Sequence, residues 1–182
     1  MPPRSPDGVL EFWFSEAARP HWFVRSEAFD ARVRDVLGPL HTQAAAGELD
    51  HWVRDPRGAL ALVILLDQVP RNVHRGSADA FATDPLALRH ARDAVDLGLD
   101  RELGEDERVF LYLPFEHSES LADQDRCVAL MSALASPMWL DYAERHRQVI
   151  ARFGRFPHRN ATLGRASTDE ELEFLTQPGS SF

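Results

Sequence analysis

Three short segments hold most of the side chains able to do chemistry. The richest is Phe153-Gly154-Arg155-Phe156-Pro157-His158-Arg159-Asn160. Gly154 suits a left-handed helix cap, and Pro157 pushes Phe156 into extended backbone. Arg155 and Arg159 are therefore held on stiff backbone, which suits bidentate recognition of a carboxylate or phosphate. A second segment is Asp67-Gln68-Val69-Pro70-Arg71-Asn72, and a third is Pro114-Phe115-Glu116-His117-Ser118-Glu119. His117 beside Glu116 and Glu119 has the vocabulary of general acid–base catalysis near neutral pH. The candidate catalytic residues are thus His117, Glu116 and Glu119. The candidate ligand-binding residues are Arg155, Arg159, His158, Asn160, Arg71 and Asp67.

Each group also has a structural reading. Asp67 ends a run that is apolar on every side, so it faces the negative end of a helix dipole and loses water. It needs a cation, and Arg155 or Arg159 is the expected partner. His117 can be a hydrogen-bonded structural histidine, and Asn160 can close its turn through its own amide. If the carboxylates Asp67, Glu116 and Glu119 cancel Arg71, Arg155, Arg159 and Arg165, the network is a lock on the fold. If positive charge is left over in a cleft, it is an anion site. Glu116 and Glu119 share a face if the chain between them is helical. A metal-dependent hydrolase built on His117, Glu116 and His158 is a further option, although no His-x-x-x-His pair occurs. No metal ligand set or cofactor is assigned. The P-loop, Gly-x-Gly-x-x-Gly, His-Glu-x-x-His and Gly-x-Ser-x-Gly motifs are absent.

The elements that must carry these segments are helical. Asp7-Gly8 precedes a short aromatic helix, Val9 to Phe14. Ser26 can cap a helix that continues past Pro39 with a kink and stops at Gly47. Asp55-Pro56 starts the apolar helix, which should end before Pro70. Asp84-Pro85 repeats that start, and Gly98 is a natural stop. Glu105 to Leu113 forms a helix broken or bent by Pro114, and Ser118 or Ser120 opens the next. Pro137 starts a helix ended by Gly154. Ser167 and Thr168 offer two overlapping capping boxes, with Glu170 and Glu171, for a last short helix. No segment has the alternation of a strand. The expected fold is all-α, about eight helices in antiparallel pairs, as one domain over residues 1–182.

Composition narrows the partners. A formal charge of −9 argues against nucleic acid or an anionic membrane as the main partner. No apolar run could span a bilayer, and Met1 to Ser5 do not open a signal peptide, so a cytoplasmic location is expected. The single cysteine, Cys127, excludes an internal disulfide and reads as a small core residue. Trp13, Phe14, Trp22 and Phe23 read as core or pocket wall, and an aromatic cluster so near the N-terminus would suit a homodimer contact.

The chain resembles a bacterial family called domain of unknown function 924. The likeness rests on Leu66 to Asn72, Phe81-Ala82-Thr83-Asp84-Pro85-Leu86-Ala87, Pro114 to Glu119 with Gln124, and Phe153 to Asn160 with Leu163-Gly164-Arg165. Val9 to Phe14 fits as well. Val69 departs from the family's usual phenylalanine, a change in packing. The resemblance implies an all-helical fold similar to tetratricopeptide-like αα superhelices, and it brings no activity, substrate or cofactor with it. The residues themselves point to an Arg/His/carboxylate pocket for a small anionic metabolite, with acid–base chemistry as an option. The other class of reading is a helical-repeat scaffold that binds a peptide or protein partner.

Overall fold

A computed structural model describes residues 5–181. Met1 to Arg4, part of the stretch read above for a signal peptide, lie outside the described residues. The described chain is all-α, with no strand. Its helices are α1 (Pro6–Trp13), α2 (Glu27–Ala45), α3 (Pro56–Val73), α4 (Asp84–Asp96), α5 (Glu105–Glu116), α6 (Leu121–Met131), α7 (Pro137–Phe153) and α8 (Asp169–Leu175), with short 3-10 turns between several of them. The chain divides into two compact units, Met1–Arg75 with Asp79–Pro114, and Gly76–Ala78 with Phe115–Phe182.

The first unit is organised on α3, which packs against α1, α2 and α4. Every residue from Ala59 to Leu66 is fully buried, as an all-round apolar helix must be. Its start follows the expected rule: Asp55 accepts from the Gly58 amide and Pro56 fills the first position. Gly58 is required by contact, since a Cβ there would lie 2.0 Å from the Trp52 carbonyl oxygen. Ser26 caps α2 through the Phe29 amide, and α2 runs through Pro39 to a left-handed Gly47.

The expectation that α3 ends before Pro70 is wrong, because α3 continues to Val73. Pro70 has no N–H to offer the Leu66 carbonyl and crowds the turn before it. Side chains from neighbouring helices supply the donors. The Thr83 hydroxyl donates to Leu66 O at 2.5 Å, and His41 Nδ1 lies 2.8 Å from Leu65 O. That commitment also changes the start of α4. Asp84 was read as its cap, but Asp84 is the first helical residue and its carboxylate is held by Arg71. Thr83 stands at the cap position and makes no side-chain cap bond, its hydroxyl being spent on α3. Trp13 is core, while Phe14, Trp22 and Phe23 surround Phe110 and Phe23 stays exposed.

In the second unit α6 packs on α7, and α8 packs on the 3-10 turn Pro157–Arg159. Val149, Ile150 and Phe156 form a small apolar core, with Phe153 and Phe174 against it. Gly154 ends α7 at φ 69°, and Thr168 with Glu171 forms the capping box of α8.

Thr83→Val removes the donor to a buried carbonyl and should cost about 1–3 kcal/mol. Urea unfolding checks this, with Thr83→Ser close to wild type. Equal stability of the valine variant would contradict the rescue of the Pro70 turn.

Candidate functional site

The first of the three polar segments belongs to the first unit. Asp67 is completely buried. It accepts from Gln68 Nε2 at 2.6 Å and pairs with Arg71 Nη1 at 3.3 Å, one turn along the same helix. Arg71 also grips Asp84 with both terminal nitrogens, at 2.7 and 3.0 Å, and donates to Asp67 O. An arginine partner for Asp67 was expected, and Arg71 fills that role. Arg71 thereby serves two carboxylates. Burial alone would lower its pKa, but Asp67 and Asp84 raise it, so the charge is fixed.

The other two segments meet in the second unit. Helix α5 ends at Glu116, and the turn after it is closed by two side chains. Gln124 Nε2 donates to Glu116 O at 2.6 Å and Ser118 O at 2.7 Å, with Phe115 O at 3.4 Å. Arg159 Nη2 donates to His117 O at 3.1 Å. These donors answer carbonyls that a helix end leaves bare. Because α5 stops here, residues 117–120 are not helical, and Glu116 and Glu119 do not share a helix face.

Glu119 turns instead to the loop after α7. It accepts from Arg165 at 2.8 and 3.0 Å and from the Phe156 amide at 2.8 Å. Burial would raise its carboxyl, but Arg165, the Phe156 amide and the charge of Arg159 hold it below the usual range. Arg155 is taken by buried Glu171 through two bonds of 2.6 and 2.8 Å, which corrects the expectation of a bond to Asp67. The Arg155 hydrogen bond is the main reason that the Glu171 carboxyl is held down at about 2, against its burial and with help from the Thr168 amide and Asn160. Asn160 does not close its turn through its own amide. It is fully buried, accepts from Arg165 Nε, and donates to Ser167 and Glu171. Arg155, Arg165, Asn160, Glu119 and Glu171 are thus one internal lattice that fixes the loop 154–168.

A further group in this unit is nitrogen-rich. Arg159 is buried, with its guanidinium 4.6 Å over the Phe156 ring. His146, on the inner stripe of α7, stands edge-on to the same ring. His146 Nδ1 lies 2.8 Å from Tyr142 O, and 3.5 Å from Glu116 Oε1. Burial, then the proximity of His117, His158 and Arg159, lowers its pKa to about 3, against the pull of the Tyr142 carbonyl. It is neutral at pH 7, and a neutral ring donating from Nδ1 keeps Nε2 as its acceptor. His146 lies outside the three polar segments of the sequence. The available signal was a polar residue in register with buried Ala143 and Val149 on an apolar helical stripe. Cys127 is buried, and burial with the Glu116 charge pushes its thiol well up, so it is a core residue and not a nucleophile.

Among the described residues, no group of three His, Cys, Asp or Glu is placed to hold a metal ion. A shallow depression of about 360 Å³ in the first unit is lined by Phe14, Arg19 and the residues from Gly104 to Glu107, none of them a candidate from the sequence.

The two depressed pKa values keep His146 neutral and Glu171 charged, with the same sign of pH dependence. His146 falls from 6.5 to about 3, so its neutral form contributes stability above pH 6.5 that is lost as pH falls towards 3. Glu171 falls from 4.5 to about 2, so its contribution holds above pH 4.5 and is lost as pH falls towards 2. His146→Gln should flatten the melting-temperature profile between pH 6.5 and 4.5, and Glu171→Gln should flatten it below 4.5. Profiles parallel to wild type would refute both assignments.

The comparisons agree with this architecture. A chain described as the structure of a protein of unknown function, ATU0120 from Agrobacterium tumefaciens, is 44% identical, with a TM-score of 0.89 over 93% of this chain and 96% of that one. No curated protein matches. The family described as bacterial protein of unknown function (DUF924) matches residues 9–179, and the chain belongs to that family.

Proposed function

We propose that the unit Phe115–Phe182 binds a small anionic metabolite at Arg159 and the imidazoles of His117, His146 and His158. The observation that carries this reading is the crowding of His146 by three other nitrogen bases, His117, His158 and Arg159. Nitrogen bases brought together disfavour one another's charged forms, and a bound anion would favour them. Arg71 and Arg155 of the candidate set, and Arg165 beside them, each hold an internal carboxylate. Of the ligand candidates, this reading keeps Arg159 and His158. Arg71, Asp67, Arg155 and Asn160 become supports of the fold.

Acid–base chemistry on the bound anion would use His117 as proton carrier. Glu116 is the carboxylate beside an imidazole, 3.5 Å from His146, whereas Glu119 is occupied by Arg165 and the Phe156 amide. The setting we assign to this activity is the cytoplasm; no helix among the described residues is long and apolar enough to cross a membrane.

A second reading is a helical scaffold of tetratricopeptide-like pairs that binds a peptide or protein, with the polar motifs acting only as locks. Saturation of Arg71, Arg155 and Arg165 by carboxylates favours it. The hydrolase reading has no three-ligand group among the described residues to support it.

Thermal shift with inorganic phosphate and citrate at constant ionic strength separates the two. At about 100 times the dissociation constant, an anion should raise the wild-type midpoint by roughly 5–10 °C. Arg159→Lys and His117→Ala should lose most of that rise, and Arg155→Lys should keep it. No rise in wild type, or the same rise in all four proteins, would count for the scaffold.

A further inference from the structure

We infer that His41 and His74, in the first unit, form a site for a divalent cation that prefers imidazole, such as Cu²⁺, Ni²⁺ or Zn²⁺. The site is separate from the anion reading and would bridge α2 and the end of α3. His41 lies on α2, and its Nδ1 is 2.8 Å from the Leu65 carbonyl oxygen of α3. His74 stands at the C-terminal cap of α3. The two ring centres are 6.1 Å apart, with 59° between the ring planes. Two imidazoles on one ion stand about 5 Å apart, centre to centre, when the ion is tetrahedral, and about 6.5 Å apart across a square plane. The spacing of His41 and His74 falls inside that range.

The chemistry of His41 suits a ligand. The Leu65 carbonyl can only accept, so the neutral ring carries its proton on Nδ1 and keeps a lone pair on Nε2. Burial lowers the pKa of His41, against the pull of the Leu65 carbonyl, and the proximity of His74 lowers it further, so the ring is neutral at pH 7. A backbone carbonyl on one ring nitrogen is the usual device that orients a metal-binding histidine. Among the described residues neither ring makes another hydrogen bond or ion pair. Both rings are half-buried, and no nitrogen of either is sealed from solvent without a partner, so an ion can reach them from water. The arginines beside them are engaged: Arg75 donates twice to Asp30, at 2.9 Å each, and Arg34 donates to the Val73 carbonyl. No carboxylate acts on His41, which disfavours Mg²⁺ and Ca²⁺, whose preferred ligands are oxygens. Among the described residues no third His, Cys, Asp or Glu joins the pair, so water would complete the coordination and the ion would exchange.

The chain has eight histidines, so the test must locate the ion as well as detect it. Cu²⁺ titrated into the isotope-labelled full chain broadens the amide resonances nearest to where it binds. Broadening is expected to begin around His41 and His74 together, and Mg²⁺ at the same concentration should leave those resonances unchanged. His74→Gln and His41→Gln should each weaken the response by about tenfold or more. If His41→Gln does not fold, the imidazole nitrogens of the wild type give the answer: Zn²⁺ should shift Nε2 of His41 far more than Nδ1. Broadening that begins at another histidine overturns the inference. So does a His74→Gln protein with wild-type affinity, an equal response to Mg²⁺, or a Zn²⁺ titration that leaves His41 Nε2 in place.

Discussion

Four successive carbonyls, at residues 115 to 118, end α5 in largely buried surroundings, and the second unit is built on how they are met. A helix end without donors is costly, because each bare carbonyl has lost its water. Here one glutamine and one arginine meet all four, Gln124 at three and Arg159 at the fourth. Gln124 comes from α6 and Arg159 from the turn after α7, so closing one helix end fixes the register of two other elements. The same closure gathers Arg159 with His117, His146 and His158.

A second constraint sets what several of the arginines do. Buried carboxylates take guanidinium groups first, since leaving a charge unpaired inside the protein costs more than a pair gains. Asp84 with Asp67 takes Arg71, Glu119 takes Arg165 and Glu171 takes Arg155. These pairs hold one helix start and one loop in place, and the loop presents Arg159. Function, in this reading, depends on a division of labour among chemically identical side chains.

That division was only half legible in the sequence. Signals that act within a few residues were read correctly: Ser26 and Asp55 as caps, Gly47, Gly98 and Gly154 as stops, and Thr168 with Glu171 as a capping box. Errors arose where a distant residue changed a local rule. Pro70 should stop a helix, but Thr83, thirteen residues later, supplies the donor that the carbonyl at Leu66 lacks. Asp84 should cap a helix, but Arg71 holds it. His146 was missed because its importance comes from what surrounds it, not from its neighbours in the chain. The need of Asp67 for an arginine followed from burial and the helix dipole alone, whereas the identity of the arginine required the fold.

The claim that internal carboxylates set the roles of the arginines is tested most directly at Glu119 and Arg165. Their double-mutant cycle, Glu119→Gln with Arg165→Met, read by urea unfolding without ligand, should give a coupling free energy of about 1–3 kcal/mol for a half-buried bidentate pair. A coupling near zero, with each single variant as stable as wild type, would contradict it.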